Sequence, residues 1–198
     1  MGEAEPREEP PVRRAGSGER RVAEVSKVRD RDSGSGPTNA ATLRTSLKPG
    51  DVGRIVEMHG VLYALELGFD RTFEAYVAGP LAECVRAGSA RDRIWIAEID
   101  GRLAGCVAIV AASPRAAQLR WFLVDPDARG RGLGTRLLRE AVAFCEVNGY
   151  ESVTLWTVGA LTAAAHLYRA AGFRKVDEKP GRRWGTDVVE ERYELGLT

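Results

Sequence analysis

Apolar and polar residues alternate from Ala41 to Leu47, as in a half-buried strand; the Lys48-Pro49-Gly50 turn then gives way to a helical period. A helix is expected from Asp51, acting as its cap, through about Leu67. Gly68 closes it and Asp70 opens a second helix, with an interruption expected at Gly79-Pro80. Two apolar runs, 93–99 and 103–110, flank Asp100-Gly101, a strong hairpin signal, and a third strand at 118–124 follows Ser113-Pro114. Leu133, Leu137, Leu138, Ala141, Val142, Phe144 and Cys145 recur at helical spacing, predicting a helix over 133–148. A strand at 152–158, a helix from about 160 to 171 ended by Gly172, and strands at 173–178 and 188–195 complete the order. The passage from strand 118–124 through a helix to strand 152–158 is a β-α-β crossover, which makes those two strands parallel neighbours. The fold class expected is α/β, a mixed α+β chain. Its central sheet holds about six or seven strands, mostly antiparallel, flanked by about four helices.

Before residue 41 the pattern differs. Residues 1–40 hold Pro, Gly, Ser, Arg and Glu with no aromatic side chain, too little apolar surface to offset the entropy of ordering. They are expected to be a disordered tail, with one domain spanning 41–198.

The most informative run is Val124-Asp125-Pro126-Asp127-Ala128-Arg129-Gly130-Arg131-Gly132-Leu133-Gly134, a glycine-rich turn between a strand and a helix N-terminus. First-turn amides lack intrahelical acceptors and sit at the positive end of the helix dipole, while Gly130, Gly132 and Gly134 let a ligand approach the backbone. This is a cradle for a pyrophosphate. It is neither a Walker loop, since Gly134 is followed by Thr135-Arg136 without the lysine, nor a Gly-x-Gly-x-x-Gly fingerprint. Arg129-x-x-Gly132-x-Gly134 after a strand ending in Val-x-Pro resembles the coenzyme-A signature of the GNAT superfamily of N-acetyltransferases. Leu167-Tyr168 followed by Gly172-Phe173 is similar to a second family segment. The resemblance covers roughly residues 41–197.

That resemblance implies a mechanism and a site. Strands 118–124 and 152–158 would start as parallel neighbours and splay, with the pantetheine arm of acetyl-CoA in the wedge. Backbone groups of Leu123 and Val124 would pair with the arm, and the Val124 amide would face the thioester carbonyl, where a preorganised N–H stabilises developing charge. The amides of Arg129, Gly130, Arg131, Gly132, Leu133, Gly134 and Thr135 would hold the pyrophosphate, with the two arginine side chains adding charge. Tyr168 would be the general acid for the departing thiolate. For the base, Glu98 on a hairpin strand competes with Glu57, His59 and Glu66 on the first helix, and with an ordered water. His59, Tyr63 and Glu66 share one side of that helix and are the candidate acceptor-binding groups. Tyr63, Phe69, Trp95, Arg182, Arg183 and Trp184 are available to an acceptor pocket. The first helix and Gly185-x-Asp187-Val188-Val189 also resemble the acetyltransferase half of fusions with winged-helix regulators. The residues before 41 are too few for the DNA-binding half.

The reaction implied is transfer of an acetyl group to a primary amine of a small molecule or peptide by direct attack in a ternary complex. The rival is a coenzyme-A-binding sensor with little activity, because many members carry an Asn where this chain has Leu161. Composition narrows the partners. With 29 Lys+Arg against 28 Asp+Glu the net charge is +1, which suggests no nucleic-acid partner. Three scattered cysteines, Cys84, Cys106 and Cys145, form neither a metal pattern nor a disulfide set, so no metal is expected and reduced thiols in the cytoplasm are. No apolar run is long enough for a membrane span, and no hydrophobic signal region opens the chain. An exposed final strand, 188–195, would leave pairing into a homodimer open.

Overall fold

A computed structural model describes residues 40–197; the expected tail lies, but for its last residue, outside the described residues. The elements run β1 (Thr42–Arg44), α1 (Asp51–Leu67), α2 (Arg71–Ala87), β2 (Arg93–Ile99), β3 (Arg102–Ala111), β4 (Ala116–Val124), a short 3-10 turn (Pro126–Ala128), α3 (Leu133–Val147), β5 (Ser152–Val158), α4 (Thr162–Ala170), β6 (Arg174–Arg183) and β7 (Thr186–Gly196). The seven strands form one sheet in the order β1-β2-β3-β4-β5-β7-β6. Every neighbouring pair is antiparallel except β4 and β5. Asp100 (φ 51) and Gly101 (φ 74) make the β2–β3 turn, both left-handed as a two-residue hairpin of matching twist requires.

Helices cover both faces of the sheet. On one face α3 and α4 bury Leu137, Leu138, Ala141 and Tyr168 against Val107, Leu119, Val153 and Tyr193. On the other, α1 and α2 bury Ile55, Phe73, Val77 and Leu81 against Ile96, Cys106 and Trp121. The interruption expected at Gly79-Pro80 is absent: α2 runs through Pro80. Proline removes one hydrogen bond, to the Tyr76 carbonyl, but Phe73, Val77 and Leu81 seat both halves on the sheet, and this burial outweighs the lost bond. The last strand is likewise not an edge. β7 lies between β5 and β6, and the edge at this end of the sheet is β6, whose lysines at 175 and 179 and proline at 180 discourage pairing with a second chain.

Within β4 the register slips. Cys106 pairs with Leu123 but Ala108 pairs with Arg120, so Trp121 and Phe122 together oppose Val107 in a β-bulge. Trp121 adopts φ 47, a left-handed conformation costing a side-chain-bearing residue roughly 1–2 kcal/mol. The Cys106 thiol donates to its carbonyl at 3.1 Å. The bulge reverses the facing of the strand. Ala117 and Leu119 point to the α3 face, whereas after it Trp121 and Leu123 pack on the α1/α2 face, and Phe122 and Val124 on the α3 face.

Asp51 does not cap α1. Gly50 takes the capping position, and the Asp51 carboxylate, 1% exposed, accepts from the Lys48 amide at 2.6 Å, from Arg44 at 2.7 and 2.8 Å, and from Arg54 at 2.7 Å. Hydrogen bonding to Arg44, against the effect of burial, holds its carboxyl at about 2. Because that lies below the ordinary 3.8, its stabilisation is present above pH 4 and is lost as pH falls toward 2. Asp51→Asn is therefore expected to destabilise the fold at pH 7 by about 3 kcal/mol, leaving Arg44 short of a counter-ion. Urea unfolding at pH 7 and pH 3 checks this; an equal deficit at both pH values would refute the ion-pair account.

Candidate active site

β4 and β5 pair only at Ala116↔Ser152, Ala117↔Val153 and Gln118↔Thr154. Beyond Gln118 they diverge, and a cavity of about 610 Å³ occupies the gap, walled by α1, α2, the glycine-rich turn and α4. The Asp125 amide donates to the Ala104 carbonyl of β3 at 2.9 Å. Strand alternation therefore turns the Val124 amide and carbonyl to the opposite edge, toward the gap. The same alternation turns the Leu123 amide and carbonyl to β3, where Leu123 pairs with Cys106, so of the two expected contacts only Val124 faces an extended polar chain entering the gap.

The glycine-rich turn ends the same gap. Gly130 (φ 73) and Gly132 (φ 75) are left-handed, and a Cβ on either would meet no atom within 4 Å, so their backbones are open to a ligand. Gly132 caps α3 without any side-chain hydrogen bond, and the first intrahelical donor here is Arg136, to Gly132. The amides from Gly130 to Thr135 have no hydrogen-bond partner among the described residues and are available to a phosphate, whereas the Arg129 amide, expected among them, donates to the Pro126 carbonyl at 3.2 Å; the residues that remain fit a pyrophosphate. The two arginines of the turn diverge. Arg129 lines the cavity, donating from Nε to the Val124 carbonyl at 3.0 Å and pairing with Glu66 at 2.7 Å. Arg131 lines a separate shallow pocket with Ile99 and Arg136, so its expected side-chain charge is not delivered to the cavity.

Tyr168 lines the cavity from α4, packed by Phe122, Phe173 and Tyr193 at centroid distances of 5.9, 6.0 and 5.8 Å. Its hydroxyl has no hydrogen-bond partner among the described residues, and burial drives its pKa far above the ordinary phenol value. It stays a neutral donor at all working pH values.

Across the gap, α1 brings His59, Tyr63 and Glu66 onto the cavity wall together. His59 Nδ1 lies 2.8 Å from the Ile55 carbonyl and donates to it, leaving Nε2 as an acceptor. Burial pushes its pKa down to about 4, so the ring is neutral at pH 7, and burial raises the Tyr63 phenol to about 12. Tyr63 stacks on Phe73 at 4.3 Å, and Phe73 meets Trp184 edge-on at 5.0 Å. Trp184 is placed by the β6–β7 turn, whose carbonyl at Trp184 accepts from the Asp70 amide at 2.9 Å.

Glu98 does not reach the cavity. It sits on β2 beside β1, bonded to Arg44 at 2.8 Å and near Lys48 at 3.7 Å, and the Arg44 hydrogen bond lowers its pKa, a poor setting for a base. Trp95 faces the other side of the sheet, against Phe144 at 5.5 Å, and neither Arg182 nor Arg183 lines the cavity. Glu57 is exposed and also lies off the lining. Sequence reasoning missed Arg120, Trp121, Tyr76, Trp156 and Glu190, all of which line it. For Arg120 a signal existed, a lone charge inside an apolar strand; for Trp121 there was none, because the bulge exists only through pairing with β3.

The three cysteines are free, and burial raises their thiols to about 11 at Cys84 and about 12 at Cys106 and Cys145. None offers a thiolate nucleophile.

The Acetyltransferase (GNAT) family model matches residues 62–173. An N-acetylaspartate synthetase of Danio rerio is 35% identical over 109 residues, covering 53% of this chain and 34% of that protein. An uncharacterized N-acetyltransferase of Schizosaccharomyces pombe is 32% identical over 118 residues, 58% of this chain and 72% of that protein. The match thus spans about a third of the length of the Danio rerio protein. Among solved structures, an acetyltransferase of Salmonella typhimurium with its cofactor acetyl-CoA has the same fold, with a TM-score of 0.64 at 20% identity over 80% of this chain and 95% of that one.

Two outcomes follow from the geometry. Gly132→Ala places a side chain at φ 75, so it should cost roughly 1–2 kcal/mol of stability and also weaken coenzyme-A binding; calorimetry of both quantities checks it, and unchanged affinity would remove the turn from the site. His59, with its pKa depressed from 6.5 to about 4, binds a proton more readily unfolded than folded across that window. Stability should therefore fall as pH drops from 6.5 to 4, and His59→Gln should flatten the fall; parallel urea titrations that lose stability equally in both proteins would contradict this.

Proposed function

The chain belongs to the GNAT acetyltransferase family, and on that premise we propose that it transfers the acetyl group of acetyl-CoA to a primary amine of a small molecule or peptide, by direct attack with both substrates bound. The observation that carries this reading is the single cavity that joins the open β4 edge at Val124, the uncapped α3 N-terminus, the Tyr168 hydroxyl and the His59–Tyr63–Glu66 wall. Acetyl-CoA supplies an activated acyl carbon. The chain supplies position and charge.

The amides from Gly130 to Thr135, at the positive end of α3, bind the pyrophosphate, and the open β4 edge at Val124 aligns the pantetheine arm as an added strand. The Val124 N–H stabilises charge that builds on the carbonyl oxygen as the amine attacks. A C–N bond forms and the C–S bond breaks. Tyr168 donates its proton toward the departing sulfur. Burial makes the phenol a weaker acid, but the same dry surroundings make the thiolate more basic, so the transfer is not defeated by the shift.

The attacking amine must be neutral. His59 and Glu66 line the acceptor side, and an ordered water passing the proton to Glu66, which lies on the cavity although paired with Arg129, suits the geometry better than Glu98, which lies off it. His59, with a pKa of about 4, accepts a hydrogen bond from the amine but holds its proton poorly. Covalent transfer through a cysteine nucleophile has no support, given the raised thiols. The three free thiols, two of them buried, fit the cytoplasm, with residues 41–198 as the working domain and 1–40 as a tail.

Leu161, apolar where an Asn is common in the family, lines the cavity and is the one observation favouring a coenzyme-A sensor instead. Thiol release from acetyl-CoA over an amine panel separates the readings, since a sensor binds the donor and releases nothing. In the same assay Tyr168→Phe keeps the ring and its packing but loses the proton donor, so kcat should fall by ~10²–10⁴ with donor affinity little changed. Wild-type turnover by this variant would return Tyr168 to a packing role.

A further inference from the structure

Two acidic and two basic side chains line the cavity among the described residues: Glu66, Glu190, Arg120 and Arg129. Three are neutralised in place. Glu66 pairs with Arg129 at 2.7 Å, and Glu190 pairs with Arg183 at 2.8 Å. Arg120 has neither an ion pair nor a hydrogen bond among the described residues, although it is half-buried. Its guanidinium sits over the Trp121 ring, with Cζ 4.8 Å from the centroid. That contact supports the cation without satisfying its donors, because the N–H bonds of a guanidinium lie in its own plane.

The location is as telling as the missing partner. Arg120 is directly opposite Ala108, which faces α1 and α2, so it points to the acceptor side of the sheet rather than to the α3 side. It lies at the last ordinary pair before the bulge, two residues beyond Gln118, where β4 and β5 part. Val124, the expected reacting end, is four residues on, about 13 Å along a regular strand and less through a bulge. The arginine side chain spans part of that distance. A small amine held at Val124 can therefore place a second group at Arg120.

We infer that Arg120 is the anchor for a carboxylate on the acceptor, so that the acceptor is an amino acid or a similar amine bearing an acid group. The inference rests on the acetyl-transfer reading and deepens it. A carboxylate is the group whose geometry matches a guanidinium edge through two parallel hydrogen bonds, and it supplies the counter-ion that this half-buried cation lacks. The neighbouring walls at Tyr76, Phe73 and Trp184 then meet the acceptor's side chain. A neutral amine leaves Arg120 desolvated and unpaired, so it is selected against.

The test compares free amino acids with their carboxamides as acceptors, following thiol release from acetyl-CoA in wild-type protein, Arg120→Gln and Arg120→Lys. Carboxylate binding is read separately, by quenching of the cavity tryptophans in the presence of coenzyme A. In wild type, kcat/KM for the acid should exceed that for the amide by at least ~10-fold. Arg120→Gln should collapse that ratio toward one, chiefly through KM, and Arg120→Lys, which keeps the charge but not the paired donors, should fall between. A ratio near one in wild type, or a ratio that survives Arg120→Gln, overturns the inference while leaving acetyl transfer standing. No thiol release with any amine, together with carboxylate quenching that Arg120→Gln abolishes, does the reverse. Neither release nor quenching overturns both. If Arg120→Gln does not fold, the Arg120→Lys ratio decides: no reduction relative to wild type rejects the anchor.

Discussion

Three residue pairs of parallel sheet, ending at Gln118 and Thr154, are the constraint on which the rest of this molecule depends. Had β4 and β5 stayed together to their ends, the edge groups of Val124 would be spent on β5 and no cavity would exist between them. Their divergence is enforced from both sides. β5 is held along its whole length by β7, from Ser152↔Gly196 to Val158↔Glu190, while β4 follows β3 through a bulge. A twisted sheet with two such independent allegiances opens rather than closes.

The bulge at Trp121 does a second task. By reversing which residues face which helices, it puts Trp121 beside Arg120 on the acceptor side and turns Phe122 and Val124 against α3 and α4, where Phe122 packs on Tyr168. The left-handed Trp121 is tolerated because the ring is buried among α1 and α2 and its carbonyl is bonded by Cys106. Local strain is thus stabilised by packing on a surface the strand would otherwise not reach.

Charge is distributed with the same economy. Arg44, Asp51 and Glu98 form a partly buried junction that fixes β1 and the start of α1 to β2. The Glu66–Arg129 pair ties the end of α1 to the glycine-rich turn across the cavity. These pairs compensate one another, which is why the unpaired Arg120 stands out chemically and why Glu98, an apparent base by type, is a structural anion by environment.

Period and punctuation along the chain determined most of the architecture. The spans of α1 and β5 follow directly from hydrophobic spacing, with Gly68 as the left-handed stop of α1, and the Asp100-Gly101 hairpin and the glycine-rich cradle are local backbone chemistry, legible wherever they occur. The shared side of His59, Tyr63 and Glu66 is likewise a property of one helix. What only tertiary structure decided is everything that needs a second segment. Continuity of α2 through Pro80 required the sheet beneath it, the burial of β7 required β6 to double back over ten residues, and the bulge required β3. Glu98 lost its candidacy to Arg44, 54 residues away, and Arg120 gained its place because no such partner came. Local sequence sets which conformations are cheap; which charges meet, and which are left for a ligand, is fixed only when distant segments pack.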